Sequence, residues 1–193
     1  MSILCRVALV CAALGTTACA SAGRTAQLAP VESGAGEAIV GEAIVGEALA
    51  EEQRLLAARR QADSLQVVIA SLALFKAVDP DVRRLAQTIV RDHMQTMSEI
   101  APLGARWRTG PTLRLARDQA RTTVSYFARM PSGPDFDAAF VDSVLAAHRH
   151  DREERTRLLP RIGEALRQLL DRTEPMLDLH LRLAEAVKRG IGR

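Results

Sequence analysis

From residue 65 onward, apolar side chains return every three or four positions, the period of a helix with one buried face. With Leu65 as origin and about 100° per residue, Val68, Ile69, Leu72 and Phe75 share one arc and predict the core stripe of a first helix. The stretch "VDPD" (78–81) ends it, and Asp79 with Pro80 forms a cap and first-turn pair for a second helix. There Val82, Leu85, Ala86, Ile89, Thr96, Met97 and Ile100 fall on one face, with His93 in the middle of it.

Residues 101–134 break the pattern with Pro102, Gly104, "TGP" and "PSGP", around a short helix expected near Thr112 to Arg129. A third long helix starts at "PDFDAAF", whose first-turn acids suit the helix dipole. Val141, Val144, Leu145 and Leu159 surround His148 on its apolar face. A fourth is expected from about Ile162 to Lys188, with Leu166, Leu169, Met176, Leu177, Leu183, Ala184 and Val187 on one stripe, His180 at its centre and Pro175 as a kink or joint. No segment alternates as a strand does. Four long amphipathic helices, with a link of about thirty residues between the second and third, predict an all-α four-helix bundle with a crossover connection.

The chain ahead of these helices is built differently. Residues 1–22 read as an export signal: one basic residue in "MSILCR", a short apolar core "VALVCAALG", then small residues. Two processing routes fit. "ASA" (Ala20 to Ala22) suits ordinary cleavage, whereas "TTAC" suits a bacterial lipobox with Cys19 as the lipidated first residue. The expected locations are the periplasm, or the outer membrane by way of that anchor. Residues 23–50 form a tether and a tandem repeat, "GEAIVGEAIVGEALA". A five-residue period turns each copy by about 140° on a helix, so its apolar residues do not share a face. Residues 51–191 make up the helical domain.

Composition narrows the functions open to this domain. Cys5, Cys11 and Cys19 all lie in the signal, which leaves the domain without a disulfide or cysteine metal site. The formal charge of +3 is small, and acids interleave with bases, as in "RHDREERTR" (149–157). That is a solvated helix face rather than a nucleic-acid surface, so no nucleic-acid partner is expected. No serine sits in a nucleophile elbow and no glycine-rich phosphate loop is present, so nothing points to an enzyme.

The candidate chemistry is the three histidines on apolar faces, His93, His148 and His180. Each reads either as a neutral core residue hydrogen-bonded to a neighbouring helix, as part of a pH-sensing pair, or as a ligand to zinc, copper or haem iron. A carboxylate-bridged di-iron centre is excluded by spacing. It requires a glutamate three residues before each histidine, and Val90, Leu145 and Leu177 stand there. If the second and third helices run parallel, His93 and His148 are nearly level. With a tight turn at Leu159 to Ile162, the residue level with His148 is near Thr173, which leaves His180 about 10 Å away. This favours a His93/His148 cluster, with Gln66, Asp92 or Asp151 beside it. His150 lies on the opposite side of its helix from His148 and is expected to face solvent.

Three stretches, "DPDVRRLAQTIVRDH", "SGPDFDAAFVDSVLAAH" and "EPMLDLHL", resemble the signatures of DUF4142, a family of exported bacterial domains of unknown function. The resemblance covers about residues 60–188 and is carried by Asp92-His93, Phe136-Asp137, His148 and the Pro175/His180 stretch. It implies a ferritin-like helical bundle and assigns no activity. Such proteins carry a glutamate near the position of Gln66, so this chain departs from any carboxylate-based site there. Two functions are therefore expected: a non-enzymatic binding or stress-related module of the envelope, or a metal- or haem-binding redox protein using the inward histidines.

Overall fold

A computed structural model describes residues 35–101 and 111–191. The signal, Cys19, most of the tether and Trp107 lie outside the described residues. These residues form five helices and no strand: α1 (Ala35–Lys76), α2 (Pro80–Ile100), α3 (Pro111–Arg129), α4 (Pro134–Leu158) and α5 (Glu164–Ile191), with a 3-10 turn, Leu159–Arg161, ahead of α5. None of the described helices is long and apolar enough to cross a membrane. The repeat is helical and continuous with α1.

The described junctions are fixed by identifiable groups. The Asp79 side chain accepts from the backbone N–H groups of Asp81 and Val82, at 2.6 and 3.3 Å, and starts α2 with Pro80 in its first turn. The turn before it is held from a distance. Asp137, buried in the first turn of α4, accepts from the N–H groups of Val78 and Asp79, the shorter bond being 2.7 Å. Its carboxylate therefore ties α4 to the α1–α2 turn, beyond the dipole role its position suggested. Lys76 donates to the carbonyls of Phe127 and Ala128 at the end of α3. Gly133, at φ 147°, adopts a conformation closed to other residues and lets the chain enter α4. The N–H of Gly163 donates to the Glu52 carboxylate, which caps α5 from α1.

α1 and α2 are antiparallel, since Asp63 meets His93 while Leu55 and Leu56 cluster with Ile100. α4 and α5 are antiparallel as well, through Arg155–Glu174 and Lys188–Asp142 contacts. α2 packs against α5, and α3 lies on α1. The core is in two parts. The larger is built on Ile69, Ala73, Ile89, Phe127, Phe136, Phe140 and Val144. The smaller is built on Leu55, Ile100, Ile162, Leu166 and Leu169. The three histidines, Asp63, Thr96 and Thr173 are buried polar residues that form a layer between these two clusters.

The stripe expected on α2 is buried as read, apart from the half-buried Met97. On α1 the expectation fails in part. Phe75 is 87% exposed and Val68 41%, while Ala70, Ala73 and Ala77 are buried beside Ile69. Alanines admit a neighbouring helix at short range, so the face that packs is the one with small side chains. α5 runs through Pro175 as one helix.

Candidate metal centre

His93 stands on α2, His148 on α4 and His180 on α5, and all three are 0% exposed. Nε2 of His93 lies 3.3 Å from Nε2 of His148, which lies 3.0 Å from Nδ1 of His180. One ring nitrogen from each histidine lies within 4.8 Å of the other two. Among the described residues this is the one such group of metal-ligating side chains.

The spacing argument had placed His180 about 10 Å from the other two, and the structure corrects it. His148 faces His180, and Arg155 faces Asp171 and Glu174, so the reversal is centred near Gly163 and Glu164 rather than at Leu159 to Ile162. The 3-10 turn Leu159–Arg161 extends α4 before the chain turns back. Moving a turn by one residue moves the facing position by two, so His180 comes level in place of Thr173.

Outer partners fix the roles of the ring nitrogens. His93 Nδ1 lies 2.8 Å from Asp63 Oδ1, and His180 Nε2 lies 3.0 Å from Asp92 Oδ2. His148 Nδ1 lies 2.9 Å from the carbonyl oxygen of Val144, one turn back on its own helix. Each of these partners accepts, so each ring donates its N–H outward. The inward nitrogen of each neutral ring is then a bare lone pair. Three acceptors face one another with no proton between them.

Burial keeps two of the rings, His148 and His180, from taking up a second proton. Burial drives the His148 ring well below the ordinary histidine range, with His93 and His180 adding to the shift. Burial also lowers His180, to about 4, against the opposing hydrogen bond that it donates to Asp92. Asp92 itself is held low. Its partial burial works the other way, but hydrogen bonds from Arg91 and His180 outweigh it. At neutral pH, His148 and His180 are therefore neutral rings.

Asp63 is missing from the sequence reading, yet it is the partner of His93. It is buried, and Arg59 forks onto it from one turn earlier while also reaching Asp151 at 3.4 Å. In "RRQADSLQ" it stands among polar residues, so no periodicity marks it as inward. Asp92 belongs to the site as expected. Asp151 touches it only through Arg59, where burial raises its carboxyl and Arg59 opposes the rise. Gln66, half-buried on α1, is not among the described hydrogen-bond partners of the three rings. His150 is half-buried near Glu154 rather than solvent-facing.

The geometry also decides which group could bind. Ligands about 2.0–2.1 Å from one tetrahedral ion stand about 3.3–3.4 Å apart, close to the 3.0 and 3.3 Å found here. Ring centroids lie 5.0–5.4 Å apart, which leaves room for an ion and none for a haem macrocycle.

A family model described as a domain of unknown function, DUF4142, matches residues 42–187, and the chain belongs to that family. The match begins inside the repeat and ends four residues before the end of α5. No curated protein and no solved structure matches the chain.

Proposed function

We propose that this member of the DUF4142 family binds one transition-metal ion between His93, His148 and His180. The observation that carries the reading is the set of three buried ring nitrogens within 4.8 Å of one another, each ring having its other nitrogen engaged outward. An imidazole whose far N–H is held by a carboxylate or carbonyl is a pre-oriented, more basic metal ligand. An all-nitrogen set suits zinc, copper or nickel and disfavours magnesium or calcium, which take oxygen. Bound there, the ion would supply the positive charge that the three lone pairs lack.

The rings are closed off from solvent, which favours holding or handling an ion over turnover of a bulky substrate. In this reading the protein is a binding module of the bacterial envelope. Residues 1–22 direct its export, and residues 23–50 set the domain apart from either a soluble N-terminus near Gly23 or a lipid on Cys19. The long helices α1, α2, α4 and α5 form a ferritin-like four-helix bundle, with α3 in the crossover between α2 and α4. The parallel course of α2 and α4 supports that topology, since His93 and His148 stand at similar heights from their helix starts.

The test is the metal content of protein purified without a histidine tag, before and after incubation with zinc or copper and removal of excess ion. One ion per chain in the wild type, and none in His93→Ala or His148→Ala, is expected. A reconstituted wild type that retains less than a tenth of an equivalent would sink the reading.

A further inference from the structure

The two carboxylates behind the ligands are anchored differently. Asp92 is partly exposed, and its partner Arg91 is largely in solvent. Asp63 is 1% exposed, and its partner Arg59 is itself mostly covered. Both nitrogen arms of Arg59 fork onto this carboxylate: Nε lies 3.2 Å from Oδ2 and a terminal nitrogen 3.1 Å from Oδ1. The other terminal nitrogen reaches Asp151 on α4. Asp63 Oδ1 thus takes the ring of His93 on one side and the guanidinium on the other.

We infer that Arg59 is a positioning residue for the metal centre, acting on His93 through Asp63. Without Arg59, the buried carboxylate loses its compensating charge, its hydrogen bond from Nε and the ion contact at Oδ1. Asp63 is then free to rotate off His93 Nδ1, and that ring is no longer held with Nε2 bare and inward. A cation near a metal site also repels the ion, which would make removal of Arg59 favourable. The carboxylate lies between the guanidinium and the ring, so its attraction acts over the shorter distance and wins. Asp151 and the fork together hold Arg59 across α1 and α4, so the guanidinium cannot follow the ion.

This inference rests on the metal-binding reading, and one set of titrations separates the two. Zinc affinity is measured at one pH by competition with a chromophoric chelator for the full chain and for Arg59→Gln, Asp63→Asn and the double variant. Helical content and thermal midpoint are recorded without metal. Arg59→Gln should weaken zinc about 10–100-fold, the range for a residue behind a ligand. In the Asp63→Asn background the same change should alter affinity less than about threefold. If Arg59→Gln does not fold, Arg59→Lys gives the same cycle, because lysine keeps the charge and loses the fork. An unchanged or raised affinity on losing Arg59, or an equal loss in both backgrounds, would overturn the inference. A wild type that binds no zinc or copper would instead overturn the metal-binding reading beneath it.

Discussion

At His148 the only outward partner is a carbonyl of its own helix, which also takes the backbone N–H in the ordinary helical way. Replacing this ring with leucine strands no charged group. It also puts an apolar side chain between the two apolar clusters. His148→Leu in metal-free protein should therefore cost no more than about 1 kcal/mol, and could stabilise. In zinc at a hundred times the dissociation constant the wild type should gain about 2.7 kcal/mol, and the variant nothing. Urea unfolding with zinc and with a chelator measures both; a variant that still gains from zinc contradicts the account. Acidity acts on the same residues. His180 titrates near 4 when folded against 6.5 ordinarily, and His148 is displaced the same way. The unfolded chain therefore binds more protons between those values, so these rings lend stability that is complete above about 6.5 and fades as pH falls toward 4. The thermal midpoint of metal-free protein should drop across that window, and a flat profile from 7 to 4.5 would count against neutral buried rings.

Among the elements, the stretches read most fully are those where large apolar residues mark the buried face. α2 carries Val82, Leu85, Ile89 and Ile100 on one side and charge on the other, so its face and the place of His93 were legible. α1 carries two stripes. Leu65, Val68, Leu72 and Phe75 are the more hydrophobic, yet Asp63, Ala70 and Ala73 pack inward. Hydrophobicity ranks side chains singly, whereas helix packing selects the face that admits the closest neighbour. That ranking is also why Asp63 was missed. Asp137 teaches a related lesson, for its position in the first turn of α4 suggested a local role, while its contacts are with another turn. Asp137→Ala should leave the N–H groups of Val78 and Asp79 without this acceptor and destabilise by about 2 kcal/mol. Chemical denaturation measures this, and a loss below about 0.5 kcal/mol would mean water replaces the carboxylate at no cost.

For the whole molecule, the arrangement of the core follows from the polar layer across its middle. An all-helical fold gains stability from continuous apolar packing, and six buried polar residues across it sacrifice part of that gain. All three histidines were legible as inward-facing, because each sits at the centre of an apolar stripe. Their common level was not. It depends on where the chain reverses between α4 and α5, and an error of three or four residues there separates ligands by about two turns. The layer makes physical sense once its lone pairs have a common partner, and X-ray absorption at the edge of a bound zinc ion tests that most directly. The account predicts three imidazole nitrogens at about 2.0–2.1 Å, and loss of the bound-zinc signal when His180 is replaced by alanine, as for the other two histidines. A shell of oxygen ligands alone, or a spectrum unchanged by that replacement, would contradict it.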